Sequence, residues 1–292
     1  MSEMAGPGTL QAPYGLAPLF TVHSGGDLWM YEHDDPAGGS FNWGDQQPIG
    51  SGWTGRTLAG PSGYLISITT GGSMRLLHFN GSNWDDMGGG AQYRTIASGW
   101  SYTSAQTRNR ISIDEDGVIY TLDTTGALKA SYYNVATQNW DVVGALLASG
   151  LTQYNSIVAS SRGAVYARTP AGALYRYYIN FWTNPAVPVL VQPTAAIGSG
   201  WNGFKSLSSP GGDLLYGVSS YDGNLYWYSY DPSSNSWAAN YGYYIGQGWG
   251  SERDVVLQTN ACTRFDTATT VSSTGPTDGG AVVRRLNAVK KN

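Results

Sequence analysis

The sequence predicts an all-β protein built from five tandem units of four antiparallel strands, and three repeating markers carry that prediction. The first marker is the pentapeptide Ile197-Gly198-Ser199-Gly200-Trp201. It returns as Ile49-Gly50-Ser51-Gly52-Trp53, Ile96-Ala97-Ser98-Gly99-Trp100 and Ile245-Gly246-Gln247-Gly248-Trp249, and in weaker form as Leu147-Ala148-Ser149-Gly150-Leu151. From Ile49 the copies are spaced by 47, 51, 50 and 48 residues. The second marker is glycine, any residue, then an apolar residue: Gly26-Asp27-Leu28, Gly72-Ser73-Met74, Gly126-Ala127-Leu128, Gly172-Ala173-Leu174 and Gly223-Asn224-Leu225. The third is a single Trp late in each unit, at Trp43, Trp84, Trp140, Trp182 and Trp237. Self-similarity at such a period is the signature of a repeat architecture.

Each unit holds four strand-like runs. In the last full unit these are Phe204–Ser208, Leu214–Val218, Asn224–Ser229 and Trp237–Tyr244. Aromatic and β-branched residues fill them, and Pro210-Gly211-Gly212 and Tyr221-Asp222-Gly223 supply the turns. Four strands of roughly 5–6 residues with short connections fit the period. No amphipathic helical period is present. Tandem units of this kind close radially, as a β-propeller.

The two ends set the blade count. The first unit offers only three strands, Leu19–His23, Leu28–His33 and Trp43–Ile49. Its missing partner is Asp254–Gln258, which follows Trp249 as Phe204–Ser208 follows Trp201. The reading is therefore a five-bladed β-propeller of four-stranded antiparallel blades, closed by N- and C-terminal strands within one blade, which removes an exposed edge. One propeller domain spans residues 1–258. Residues 259–292, rich in Thr, Ser and Gly and ending with Arg284, Arg285, Lys290 and Lys291, read as a tail, an extra strand or a channel plug.

Composition narrows the function. Charged residues make up 12% of the chain and glycine 40 of its 292 residues, against roughly a quarter charged in typical globular chains. A formal net charge of -4 argues against nucleic acid or anionic membrane bound through a general basic field. The single Cys262 excludes an internal disulfide framework. Residues 1–16 lack a basic start followed by an apolar run. No apolar stretch approaches the roughly 18 residues of a membrane-spanning helix. The expectation is a soluble protein without membrane insertion, cytoplasmic or released without a signal peptide, needing no cofactor or metal.

Trp201-Asn202-Gly203-Phe204-Lys205-Ser206-Leu207, framed by Ile-Gly-Ser-Gly and Ile-Gly-Gln-Gly-Trp, resembles the blade signature of tachylectin-type five-bladed propeller lectins. The resemblance covers residues 17–258 at the level of the repeat and is closest in the last full unit. It implies binding of N-acetylated hexosamines, N-acetylglucosamine above all, in shallow sites between adjacent blades. Glycans carrying N-acetylated sugars are the implied partners.

The topology predicts which face carries such sites. In an up-and-down blade the Gly-Trp connection and the Gly-x-Leu turn fall on the same face. Trp53, Trp100, Trp201 and Trp249 then share it with Asp27, Asp222 and Asn224. Indole rings suit the C–H faces of a pyranose, and a few fixed polar groups suit its hydroxyls and acetamide. Asn202 offers both donor and acceptor. The candidate sugar-binding residues are therefore Trp201, Asn202, Phe204, Trp53, Trp249, Trp100, Asp222 and Asn224. The other reading of these tryptophans is packing between blades.

The copies have diverged. Thr54-Gly55-Arg56 follows Trp53, extra residues follow Trp100, Leu151 replaces the Trp while Tyr154 keeps an aromatic, and Gly250-Ser251-Glu252 follows Trp249. The family site transfers best to Trp201. Asp114-Glu115-Asp116-Gly117 is a fragment of a calcium-loop pattern on the opposite face and reads as a solvated turn. His23, His33 and His78 lack close metal-ligand spacing, and no catalytic motif is present. An enzyme would need acids and bases converging near the axis, where Asp254 or Arg253 stands. A protein-binding scaffold is a third reading.

Overall fold

The computed structural model describes residues 10–180, 189–238 and 242–264. Trp182 lies outside them, as do three residues of the Trp237–Tyr244 run and residues 265–292. The described chain forms a ring of five antiparallel blades.

Blade 1 orders its strands Asp254–Leu257, Ala17–Val22, Leu28–His33 and Trp43–Gly50 from the axis outward. Blade 2 comprises Arg56–Ala59, Tyr64–Ile68, Met74–His78 and Arg94–Ala97. Blade 3 comprises Ile111–Ile113, Val118–Leu122, Leu128–Asn134 and Asn139–Ala148, and blade 4 comprises Ser156–Ala159, Ala164–Arg168, Leu174–Asn180 and Val189–Val191. Blade 5 begins Phe204–Ser208, Leu214–Ser219 and Leu225–Asp231. Its outer position, expected as one strand, holds two pieces, Ser236–Trp237 and Tyr243–Gly246, both paired with Leu225–Asp231.

The ring closes as the sequence predicts. Leu19 pairs with Leu257, Phe20 with Val256, Thr21 with Val255 and Val22 with Asp254, antiparallel. The five innermost strands touch one another in turn around the axis.

Burial follows strand position. Arg56–Ala59, Ser156–Ala159, Val118–Leu122 and Ala164–Arg168 are buried throughout, whereas no residue of Trp43–Gly50 on the rim is buried and half of them are exposed. Inner strands have a blade on each side and are largely buried, Phe204–Ser208 with its exposed Lys205 being the exception. Among the described residues the core divides into five apolar clusters, one in each seam between adjacent blades.

Three buried tyrosines on second strands each place their hydroxyl on a partner, as buried phenols require. Tyr120 donates to Asp114 Oδ2 at 2.9 Å and Tyr166 to Asp213 Oδ1 at 2.6 Å, while Tyr216 meets His33 Nδ1 at 2.7 Å. Asp114 also accepts from the Asp116 and Val118 N–H groups. Glu115 and Asp116 face the Arg162 guanidinium at 3.3 and 3.2 Å. The acidic turn, expected to be solvated, is instead packed against blade 4. Burial, with Asp116 beside it, raises the Glu115 carboxyl well above the usual carboxylate range.

The structure also differs from the expected boundary at residue 258. Thr263–Arg264 pairs with Leu10–Gln11 as a short two-stranded sheet, and the Cys262 N–H donates to Pro210 O at 2.8 Å. Ala261 and Cys262 are fully buried. Residues 259–264 thus belong to the propeller body.

Candidate functional site: the seams between blades

The three sequence markers meet in the seams. The fourth residue of the pentapeptide has φ near +80° in all five copies, at Gly52, Gly99, Gly150, Gly200 and Gly248. That left-handed turn is open to glycine at no steric cost. It lays the fifth residue on the Gly-x-Leu turn of the preceding blade. The Trp53 N–H donates to Gly26 O at 2.9 Å, Trp100 to Gly72 at 3.1 Å, Leu151 to Gly126 at 2.9 Å, Trp201 to Gly172 at 3.0 Å and Trp249 to Gly223 at 2.9 Å. The two markers therefore share one face.

The late tryptophans complete the seam. Trp43 Nε1 donates to Ile245 O at 2.5 Å, Trp84 to Ile49 O at 2.5 Å, Trp140 to Ile96 O at 2.6 Å and Trp237 to Ile197 O at 2.7 Å. Each acceptor is the first residue of a pentapeptide on the neighbouring blade. The indoles also pack in pairs: Trp43–Trp249, Trp53–Trp84, Trp100–Trp140 and Trp201–Trp237, with ring centroids 5.1–6.1 Å apart.

These contacts decide how the motif tryptophans are used. Trp53, Trp201 and Trp249 are buried, and Trp100 is half-buried. Phe204, Tyr228 and Trp237 surround the Trp201 ring at 4.7–5.5 Å. Trp53, Trp201 and Trp249 are wedges between blades with little ring surface open to a ligand, whereas Trp100 keeps part of its surface exposed. At Leu151 the seam is filled by Tyr154, whose hydroxyl meets Tyr177 Oη at 2.8 Å.

Around blade 5 the structure does bring predicted residues together. Asn202 is exposed, with its Oδ1 resting on Gly172, where any Cβ would overlap it. Phe204 packs in the same connection and reaches Tyr226, centroids 6.2 Å apart. Tyr226 Oη donates to Asp222 Oδ2 at 2.9 Å, and Asn224 Nδ2 donates to the same oxygen at 2.9 Å. The Ser219 hydroxyl, the Asn224 N–H and Tyr226 together hold the Asp222 carboxyl below its ordinary range. The surface of blade 5 thus joins Phe204, Asp222 and Asn224 through Tyr226, with Asn202 on the blade 4 side of the same connection. Trp53, Trp100 and Trp249 stand in three other seams.

Sequence reasoning missed several participants. Tyr221 is 86% exposed and lies against Gly203, and Tyr226 and Tyr244 continue the aromatic surface with centroids 6.2 Å apart. The alternation Tyr226, Tyr228, Tyr230 places three rings on one side of their strand and was the available signal. Arg168 is buried and clamps the connection from blade 4, its Nη1 donating to Trp201 O at 3.0 Å and Phe204 O at 2.7 Å. Burial lowers the Arg168 pKa.

A tachylectin family model matches residues 21–254. The chain belongs to the tachylectin family. No curated protein sequence matches this tachylectin-family chain. In structure it is similar to AofleA from Arthrobotrys oligospora, with TM-score 0.41 and 14% identity over 82% of this chain and 74% of that one. It is similar to the SapL1 lectin in complex with alpha methyl fucoside, with TM-score 0.38 and 15% identity over 66% and 64%. A third similarity is to TolB from Acinetobacter baumannii, TM-score 0.40, 11% identity, over 85% and 67%. No ligand or activity is carried over from these structures.

A cavity of about 20 Å³ is lined by innermost strands, among them Arg56, Ser112, Ser156 and Ser208, space for about one water. Asp254 is buried and engaged by the Arg56 and Arg108 guanidiniums and by the Thr57 N–H at 3.0 Å. Arg253 turns to Ser24 O at 2.9 Å. His33 is fully buried, His23 sits 2.9 Å from Glu252 and His78 2.5 Å from Asp85. Among the described residues no group of three or more His, Cys, Asp or Glu is placed to hold a metal ion.

Proposed function

We propose that this tachylectin-family protein is a lectin that binds N-acetylated hexosamines, N-acetylglucosamine-like, at seams on the face carrying the Gly-Trp connections. The observation that carries the reading is the blade 5 surface. An exposed carboxamide, Asn202, rests on the Gly172 turn of blade 4, while its neighbours in the same connection, Gly203 and Phe204, meet Tyr221 and Tyr226, and Tyr226 donates to the preorganised Asp222–Asn224 pair. A carboxamide matches an acetamide donor for acceptor, a carboxylate takes sugar hydroxyls, and phenol rings meet the C–H face.

Affinity at one such shallow surface is modest, because only the surplus over ordering and desolvation costs is realised. Several seams on one face compensate when a glycan is clustered, since later contacts become intramolecular. The seams differ, so between one and three sites function and the Leu151 seam is silent. Titration calorimetry with N-acetylglucosamine tests this directly. A stoichiometry of one to three, lost at one site on Asn202→Ala, supports the reading. Five equivalent sites, or no response to any N-acetylated sugar, overturns it.

A further inference from the structure

A groove of about 610 Å³ opens on the perimeter between blades 2 and 3, within the roughly 300–1,000 Å³ usual for small-molecule sites. It shares Ile96 and Trp140 with the Trp100 seam, but Ser98, Gly99 and Trp100 do not line it. Arg94 begins the outer strand of blade 2 and Asn139 that of blade 3, and both strands run from there toward the opposite face. One wall is formed by the connection 79–93 of blade 2, fifteen residues long, against four, 135–138, at the same place in blade 3. The groove is thus a departure from the repeat.

Arg94 supplies the one charged side chain that lines it among the described residues. Its Nε and Nη2 donate to Met87 O at 3.1 and 2.7 Å, and Nη1 donates to Gln138 Oε1. A guanidinium has five N–H donors, so two remain uncommitted among the described residues. Arg94 forms no ion pair there either. Of the two acids of the same connection, Asp85 pairs with His78 and Asp86 is turned to the Gly88 and Gly90 N–H groups. Tyr93, 42% exposed as a residue, stands beside Arg94, one face of its ring held by the Arg75 guanidinium 4.3 Å from the centroid. The carboxamides of Gln138 and Asn139 face them from blade 3.

We propose that this groove is a second saccharide subsite, selective for a pyranose that carries a carboxylate. A guanidinium fixed by its own backbone contacts is suited to a planar carboxylate. The two carboxamides meet ring hydroxyls, and the immobilised Tyr93 ring meets the C–H face. The subsite shares no residue with the blade 5 surface, so it stands or falls separately from the N-acetylhexosamine reading.

The test is NMR titration of the whole protein, following the indole N–H signals of Trp140, which lines the groove, and of Trp201. The ligands are glucuronic acid, its methyl ester, sodium acetate, a short peptide with a free C-terminus, and N-acetylglucosamine. Glucuronic acid should shift the Trp140 signal saturably, with the ester and acetate at least tenfold weaker. Arg94→Gln and Tyr93→Ala should each weaken glucuronic acid at least tenfold while the response to N-acetylglucosamine is unchanged. If Arg94→Gln fails to fold, Tyr93→Ala, at an exposed ring, decides the matter alone. Acetate as tight as glucuronic acid would mean a plain anion site and overturn the proposal. So would a peptide binding more tightly than the sugar, or glucuronic acid leaving Trp140 unmoved.

Discussion

The indole N–H of Trp237 donates to the carbonyl oxygen of Ile197 at 2.7 Å, across the seam between blades 4 and 5. Trp43, Trp84 and Trp140 repeat the bond to Ile245, Ile49 and Ile96. Blades are therefore registered by a directional contact as well as by apolar packing. Trp237→Phe keeps most of the ring but removes the donor. A loss of about 1 kcal/mol is expected, read as a shift of the urea midpoint at constant slope.

Trp201→Ala should act mainly on stability. The ring is 4% exposed and enclosed by three aromatic neighbours, so truncation costs about 3–5 kcal/mol through lost packing. Asn202→Ala, at an exposed position, should leave melting nearly unchanged while removing sugar binding at that seam. Reversal of this contrast, with a stable Trp201→Ala protein and a destabilised Asn202→Ala protein, would remove the wedge assignment.

How much of this was legible in the sequence divides along physical lines. The five blades and the closing strand Asp254–Leu257 were readable because glycine at a left-handed turn and the strand-like runs between such turns are local requirements that recur. The role of the indoles was not. A Trp that wedges and a Trp that stacks on a ligand present the same letter, and only the position of Phe204, Tyr228 and Trp237 around Trp201 separates them. The acidic turn was misread for a similar reason. Asp114-Glu115-Asp116 is hydrophilic as a string, yet Arg162 and Tyr120, distant in sequence or on the next strand, supply the partners that allow its burial.

Asp254 holds two guanidiniums from other blades, and Arg56 is itself buried. Asp254→Ala leaves those cations without their carboxylate in a low-dielectric setting, with an expected loss of about 3–5 kcal/mol. Calorimetric melting checks it. A double replacement, Arg56→Met with Asp254→Leu, should recover a substantial part of the loss, and no recovery would point to strain elsewhere.

Burial pushes the Cys262 thiol up to about 12. Its ionised form is disfavoured in the folded state, so the folded pKa lies above the unfolded value of roughly 8.5. The corresponding stability is fully present below the unfolded pKa and is lost as pH rises from there through about 12. At pH 8 the native thiol should resist a water-soluble alkylating reagent and react at once in denaturant. Rapid labelling of the native protein at pH 8 contradicts the burial.

Truncation distinguishes the strands that close the ring from residues 265–292. A chain ending after Arg264 keeps the pairing of Asp254–Leu257 with Ala17–Val22 and the small sheet of Leu10–Gln11 with Thr263–Arg264, and it should melt cooperatively. A chain ending at Trp249 loses both and should not. Equal melting of the two chains would exclude closure as a requirement for folding.

That closure also sets a schedule for synthesis. Val22 and its partner Asp254 are 232 positions apart, so at roughly 5–20 residues per second their meeting waits about 12–46 s after the first partner is made. Through that interval Ala17–Val22 has no neighbour on its axial side, and its apolar, hydrogen-bonding edge is open to any other nascent strand. The ring that leaves no edge in the finished molecule therefore leaves one throughout translation, and crowding on a polysome is the condition under which this chain is most exposed to pairing with another copy of itself.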